Sequence, residues 1–333
     1  MDILQYAKAI FPADEKITFL DPAIGTGSFY SALLRTFPAG RISKAEGYEI
    51  DSRYADIAAR LWKEPALTLH FTDFTKATSP RAKKDRFNLI ICNPPYVRHH
   101  HIDNEEKAHL KLKAMQVTGI SLNGLSGLYC YFIALAHAWM TRNGIAGWLI
   151  PNEFMYVNYG QALKQYFTNS VTLLRIHRFD PNDLQFSDAL VSSTVVWFQK
   201  AKPQENQSFE FTYGGTLAKP KTSKRVSLTQ IRKEAEWRFL FKPAIARNHP
   251  SVATKLGDLF AIKRGLATGD NSFFILSRQQ IEEYRLPTEV FRPILPSPRY
   301  MQANEISADQ DGNPCLTLQL FLLDCKLPEY EVK

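Results

Sequence analysis

The chain is 333 residues long, 45% hydrophobic, 12% aromatic and 22% charged, enough apolar material for two packed domains and too much for a disordered, collagen-like or disulfide-scaffold protein. Forty-one Lys and Arg against 33 Asp and Glu give a net charge of +8, which suits a polyanionic partner without naming one. The four cysteines, Cys92, Cys130, Cys315 and Cys325, form no C-x-x-C pair and no zinc-spaced group, no run of about 20 apolar residues offers a membrane span, and Met1-Asp2 opens without a basic, apolar leader, so a cytoplasmic protein with free thiols, no metal and no membrane partner is expected.

Ile17–Leu20 is a short apolar run ending in Asp21 and a glycine turn, and Ser28–Phe37 follows as a helix. Ala45–Ile50 reads as a second strand, Tyr54–Trp62 as a second helix and Ala66–Phe71 as a third strand. Phe87–Cys92 (FNLIIC) is apolar throughout, as expected of a strand covered on both faces of a parallel sheet. Residues 97–127 interrupt the alternation with a charged stretch and the loop TGISLNGLSG (Thr118–Gly127), long enough to suggest a functional segment. Leu128–Arg142 then reads as a long apolar helix, whose Tyr131, Phe132 and Trp139 suit a core or sheet-facing stripe. Gly144–Ile150 follows as a buried strand, Gln161–Thr168 as a helix, and Val171–Arg178 and Ser192–Gln199 as two more strands. This alternation predicts an α/β domain with a doubly wound, mostly parallel sheet. The polar, Pro-containing Lys200–Ser208 is the expected domain boundary. Beyond it the pattern is irregular. Lys219 through Arg264 carries 12 basic and 3 acidic residues, net +9, which reads either as a solvated face or as a phosphate-contacting surface.

Chemistry concentrates where the first four strands end, the edge at which open α/β sheets bind ligands. DPAIGTGSF (Asp21–Phe29) closes the first: Gly25 and Gly27 let the backbone approach a ligand, and a helix N-terminus faces the same crevice. The third glycine of the dinucleotide fingerprint is missing, and the Asp21 carboxylate would repel a pyrophosphate but attract an ammonium or sulfonium. A cationic cofactor is therefore expected. Glu49 closes KAEGYEID, where a carboxylate can accept both hydroxyls of a ribose, and Asp73-Phe74 offers an acceptor for an adenine amino group beside a ring. Acids at such tips also cap helices, a role open to Asp51 or Ser52. Asn93-Pro94-Pro95-Tyr96 follows the FNLIIC strand. Its prolines make a rigid turn presenting carbonyls, Asn supplies an oxygen acceptor and Tyr a flat face, a set that matches a planar substrate with an exocyclic amino group. The bland alternative is a Pro-rich turn plugged by Tyr96. Asp21, Glu49, Asp73 and Asn93 stand 28, 24 and 20 residues apart, one βα repeat each, so all four would line one edge of the sheet. Adjacent His99, His100 and His101 cannot all face one ion and read as a polar loop start, and Thr268, Asp270 and Asn271 read as a turn.

In this order, DPAIGTGSF, GYEID, TDF and NPPY resemble the gamma-class, TaqI-type S-adenosylmethionine-dependent N6-adenine DNA methyltransferases, over roughly residues 15–200. GIAGWLIPNEF (Gly144–Phe154) looks like the family's next strand and turn. LQFSDALVSSTVVWF (Leu184–Phe198) resembles the segment whose phenylalanine stacks on the extruded adenine, which points to Phe186. IKRGLATGDNSFFIL (Ile262–Leu276) looks like the opening of a target-recognition domain in related restriction-modification enzymes. The resemblance implies a seven-stranded class I methyltransferase sheet in a catalytic domain over 1–199, and a smaller α+β target-recognition domain over 209–333, short for the family.

It also implies S-adenosyl-L-methionine as cofactor. Asp21, Ala23, Gly25 and Gly27 would hold its methionine end, Glu49 its ribose and Asp73 its adenine amino group, with Ile50 and Phe74 packing on that adenine and Asn93 bordering the cofactor as well. In the catalytic set, the Asn93 side-chain oxygen and the Pro94 carbonyl would accept from the target N6 amino group, Pro95 would stiffen the turn, and Tyr96 with Phe186 would sandwich the base. The base would be flipped from double-stranded DNA at a few kcal/mol, of which stacking returns about 1–3 kcal/mol. No metal or general base is required, since positioning can supply most of the acceleration. The family's motif before the glycine turn has no counterpart ahead of Ile17, so Met1–Phe11 or a partner is expected to replace it unless the chain starts late. The implied setting is a restriction-modification or phage-defence system in a bacterial or archaeal cytoplasm, with a restriction endonuclease or another defence subunit as further partner. Because N-P-P-Y also occurs in enzymes that methylate ribosomal RNA or a protein glutamine, those substrates form the alternative reading. A non-catalytic DNA- or cofactor-binding subunit is the third.

Overall fold

A computed structural model describes residues 2–62, 67–180, 192–240, 256–261, 268–297, 301 and 305–328. Two compact units result, Met1–Arg247 and Asn248–Lys333. The first runs α1 (Asp2–Ile10), β1 (Ile17–Asp21), α2 (Ser28–Thr36), β2 (Ile42–Tyr48), α3 (Ser52–Leu61), β3 (Leu67–His70) and β4 (Phe87–Cys92). It continues through α4 (Asn104–Thr118), α5 (Leu128–Ala136), β5 (Met140–Pro151), α6 (Gln161–Gln165), β6 (Thr172–Arg178), β7 (Ser193–Gln199), β8 (Ser208–Gly215), β9 (Pro220–Ser227) and α7 (Leu228–Arg232).

One sheet holds all nine strands in the order β3-β2-β1-β4-β5-β7-β6-β8-β9. Pairing is parallel except at β7, antiparallel to both β5 and β6, and at β9, antiparallel to β8. Chain order reverses direction between β1 and β4, the switch point where an open α/β sheet has its crevice. The doubly wound, mostly parallel fold is therefore as expected, with two strands more than the seven anticipated.

Those two strands come from β8 and β9, so the expected boundary at Lys200–Ser208 is a connection within the sheet, and the division between compact units falls at Arg247. The physical reason is burial: Phe209, Phe211 and Val226 join the core of the first unit. β9 conceals this in the sequence because it is an edge strand, exposed along Lys221–Arg225, and edge strands carry charge to discourage pairing with other chains.

Two other expectations change. The segment 97–127 contains α4, capped by Asp103, whose carboxylate accepts from the backbone N–H groups of Glu105 and Glu106, and closed by Gly119 at φ 72°. Its buried residues, Leu110 and Ala114, are too few to mark an apolar stripe in the sequence. The helix expected over Leu128–Arg142 ends at Ala136; a 3₁₀ turn over His137–Trp139 follows, and Met140 opens β5 by pairing with Phe87. An apolar run buried as helix and then as strand shows no change of period at the junction.

The core lies on both faces of the sheet. One face packs Phe74, Phe132, Trp139, Phe154 and Phe198 under α5 and α6; the other packs Leu4, Phe19, Leu33, Leu89 and Trp197 under α1 and α2. β4 is buried along all its length and anchors both. The second unit comprises α8 (Leu256–Leu259), α9 (Asn271–Phe274), β10 (Ile275–Ser277), α10 (Arg278–Glu283), β11 (Phe291–Ile294) and β12 (Leu320–Leu323), with an antiparallel sheet β10-β12-β11 around Leu276, Ile281, Phe291 and Phe321. Asp270 caps α9 by accepting from the Ser272 and Phe273 N–H groups, and Thr268 bonds Asn271, so these three residues form a turn. Residues 262–267, the start of the recognition-domain resemblance, lie outside the described residues. Among those described, no helix is long and apolar enough to cross a membrane.

Candidate active site

β1 ends on Asp21, 1% exposed. Its Oδ1 accepts from the Ala23 N–H at 3.1 Å, while Oδ2 is buried with no hydrogen-bond partner. Burial pushes this carboxyl up to about 7, with the Ala23 N–H and the Cys92 thiol pulling the other way and the Glu49 charge adding to the rise. A carboxylate desolvated in this manner is stabilised by any cation placed against it.

The turn that follows depends on glycine. Gly25 and Gly27 have φ of 55° and 91°, and a Cβ on Gly27 would lie 2.0 Å from Trp62 Nε1. The Trp62 indole donates to the Thr26 carbonyl at 2.8 Å, clamping the turn from α3's far end. Gly27→Ala is expected to incur about 1–2 kcal/mol for the left-handed backbone alone, lower Tm by roughly 3 °C or more and weaken cofactor binding. In a Trp62→Ala background, which lacks the indole that a Cβ would meet, the further loss from Gly27→Ala should be smaller than in the parent; thermal unfolding and cofactor titration of both single variants and the double variant measure this.

Glu49, just beyond β2, ties the turn to the next strand. Its Oε2 accepts from Gly25 N–H at 2.9 Å and its Oε1 from Asp51 N–H at 2.7 Å, while its own N–H donates to His70 O at 3.0 Å. Each carboxylate oxygen keeps a further lone pair. Ile50 is 72% exposed, a large aliphatic side chain on the rim. Past β3, Asp73 Oδ1 accepts from both the N–H and hydroxyl of Thr75 at 2.8 Å, capping a 3₁₀ turn, and Lys76 stands 3.8 Å from Oδ2. Phe74 is buried among Tyr48, Phe132 and Trp139, with ring centroids 5.3–5.5 Å away.

Past β4, the Asn93 side-chain oxygen is buried and has no hydrogen-bond partner. Pro94 is buried. The Tyr96 hydroxyl donates to Leu149 O at 3.0 Å, tethering its ring to β5, and burial raises its pKa.

A cavity of about 220 Å³ opens at this edge. Of the residues singled out from the sequence, Ala23, Gly25, Glu49, Ile50, Asp73, Phe74, Asn93 and Pro95 line it; Asp21, Gly27, Pro94 and Tyr96 do not, and Asp21 reaches its wall through the bond to Ala23. Phe186 lies outside the described residues. The lining adds Pro22, Tyr48, Tyr54, Thr72 and Phe132. Pro22, Tyr48 and Thr72 adjoin strand-tip residues already marked, so adjacency was their signal. Tyr54 required the phase of α3, and Phe132 required the fold, since α5 brings it over the cavity from far along the chain.

The family model of the Eco57I restriction-modification methylases matches residues 41–185. The type II methyltransferase M.AccI of Acinetobacter calcoaceticus is 24% identical over 312 residues, 87% of this chain and 54% of that protein. The type II methyltransferase M.XamI of Xanthomonas campestris pv. amaranthicola is 26% identical over 264 residues, 77% of this chain and 48% of that protein. The chain is thus similar in sequence to restriction-modification methyltransferases. It spans about half the length of the curated relatives it matches. The type I restriction-modification system methyltransferase subunit from Streptococcus thermophilus superposes with a TM-score of 0.52 at 14% identity, over 70% of this chain and 50% of that one. Likeness at that identity is one of fold, and it is shared with a structure described as a putative class I S-adenosylmethionine-dependent methyltransferase from Listeria monocytogenes, with a TM-score of 0.51 at 18% identity over 73% of this chain and 71% of that one.

Proposed function

We propose that this chain transfers a methyl group from S-adenosyl-L-methionine to the N6 amino group of an adenine flipped out of a specific duplex DNA sequence, within a bacterial or archaeal restriction-modification or defence system. The observation that carries the reading is the Asn93 oxygen: a buried acceptor without a donor, in the wall of the cavity that Glu49 and Asp73 also line. A buried acceptor left unpaired is unfavourable by about 1–3 kcal/mol, and a ligand N–H relieves it.

The residues fit such a cofactor. Asp21, buried and half-partnered, suits an ammonium or sulfonium; the spare lone pairs of Glu49 suit ribose hydroxyls, and the exposed Ile50 with the Phe74 wall suits an adenine face. When bound, the cofactor supplies a methyl group on a sulfonium. Asn93 and the Pro94 carbonyl would accept from the target amino group, holding its nitrogen pyramidal with the lone pair directed at that methyl. Tyr96, its ring fixed through Leu149, would stack on one face of the base and Phe186 on the other. Stacking of about 1–3 kcal/mol offsets much of the few kcal/mol needed to extrude the base. A restriction endonuclease or another defence subunit is the expected protein partner.

Labelled methyl transfer to unmethylated duplex DNA, structured RNA and a protein extract tests the reading. Label is expected as N6-methyladenine in the duplex. Label in RNA or protein instead would transfer the chemistry to the alternative substrates, and cofactor binding without label anywhere would leave a non-catalytic subunit.

A further inference from the structure

The sheet edge that holds the cavity continues, strand by strand, to the β8–β9 hairpin. Ile150 of β5 pairs with Thr194 of β7, Thr194 with Arg178 of β6, Arg178 with Tyr213 of β8, and Tyr213 with Thr222 of β9. β4 adjoins this row through Cys92, opposite Trp148. The turn between β8 and β9 therefore projects from the same edge as Asn93. It lies four to five strands along the sheet from β4, about 19–24 Å at 4.8 Å per strand. Phosphates on one strand of B-DNA repeat about every 3.4 Å along the helix axis, so a duplex lying along this edge would cover the span in roughly six to seven nucleotides.

The hairpin is built to be rigid. Gly214 and Gly215 take φ of 63° and 65°, and a Cβ on Gly215 would come within 2.5 Å of Lys219 O. Thr216 exchanges bonds with Lys219, its N–H to Lys219 O at 3.2 Å and its hydroxyl accepting from Lys219 N–H at 3.0 Å. Leu217 plugs into the core, and the buried Arg175 donates to its carbonyl at 2.8 Å while pairing with Glu210 at 3.3 Å. Lys219 and Lys221 are exposed at the tip, Lys221 within 3.5 Å of Asp180. Residues 211–233 carry six Lys or Arg and no Asp or Glu.

We infer that the β8–β9 hairpin contacts the phosphodiester backbone of duplex DNA, through Lys219 and Lys221, on the flank of the nucleotide whose base enters the site beside β4. The inference rests on the proposed function and adds the surface that orients its substrate. Two cations on a pinned turn, held a fixed distance from the site, set register on the duplex without reading sequence. Exchange of Asp180 for a phosphate keeps Lys221 paired.

The test uses the full chain with Lys219→Gln and Lys221→Gln together, and a second pair, Lys83→Gln with Lys84→Gln, which removes equal charge from the exposed turn before β4 at the opposite sheet edge. Duplex affinity is measured across a salt series. Loss of two phosphate contacts should make the slope of log K against log salt shallower by about 1.8 and weaken low-salt affinity on the order of tenfold. Turnover at saturating DNA and cofactor affinity should hold, and the Lys83/Lys84 pair should match the parent. Lys219→Arg with Lys221→Arg should retain the parent slope; a loss there equal to that of the Gln pair would make the effect structural and overturn the inference. An unchanged slope in the Lys219/Lys221 Gln pair would overturn it too. A parent that binds duplex with this slope but transfers no methyl would sink the proposed function and leave the surface standing, whereas a parent that binds no duplex sinks both.

Discussion

Asn93→Ala is expected to lower methyl transfer to duplex DNA by about 10²- to 10³-fold, the range typical of removing one positioned hydrogen-bonding group from a transition state. Cofactor affinity should change far less, because Glu49, Asp73 and Ile50 line the same cavity and remain in place. Stability should move the other way or not at all. The Asn93 oxygen is buried without a partner, so its removal deletes an unfavourable group instead of a bond. Loss of turnover with an unchanged or higher Tm is the mark of a residue kept for function at the expense of stability. Asn93→Asp keeps an acceptor and should retain more turnover than Ala. Single-turnover transfer, cofactor titration and thermal unfolding of the two variants check the pattern; a large drop in Tm for Asn93→Ala would assign Asn93 a structural role and remove the argument for catalysis.

The strand tips were legible because a βα repeat is a period in the sequence. An apolar run must end where the backbone leaves the sheet, and the polar residues at Asp21, Glu49, Asp73 and Asn93 fall at those ends whatever the rest of the domain does. Local capping marks one of them: Asp73 caps the turn after β3 and also lines the cavity, whereas after Glu49 the cap of α3 is the separate residue Asp51. What the sequence concealed depends on tertiary contact. α4 has good caps but no apolar face, and the largely buried run of α5 continues through Trp139 to Met140, while the polar break Thr141–Gly144 falls inside β5 instead of at its start. β8 does alternate, with Phe209, Phe211 and Tyr213 set between Ser208, Glu210 and Thr212, but it is followed by two glycines at the turn and by β9, an edge strand of exposed lysines with no period-two signal of its own. Trp62 is the sharpest case. Nothing near residue 62 indicates that its indole closes on a turn 36 residues earlier.

Asp21→Asn is expected to reverse sign between the unliganded protein and its cofactor complex. The Asp21 carboxyl shifts from 3.8 to about 7 on folding because burial penalises its charge. An acid raised in the folded state contributes stability that is fully present below its unfolded pKa and lost as pH climbs through the folded one. The window therefore runs from about pH 4 to about pH 7, and the shift corresponds to about 4 kcal/mol at its upper end. Subtracting the Asp21→Asn variant from the parent cancels the other titrating groups, and the neighbouring Cys92 thiol, itself raised by burial and by the Asp21 charge, stays protonated across the window. Without cofactor, the variant should be the more stable protein at pH 8 and about equal to the parent at pH 4. A cationic methionine end favours ionised Asp21, so parent affinity should rise by up to about tenfold per pH unit towards pH 7 and then level, with release of a proton on binding below that pH. The variant should bind weakly at every pH, with neither slope nor proton release from this site. Paired unfolding curves and titration calorimetry in two buffers of different ionisation enthalpy read both halves. A parent affinity that is flat from pH 5 to 8 would mean that Asp21 remains neutral in the complex and that the cofactor's positive charge is met by another group.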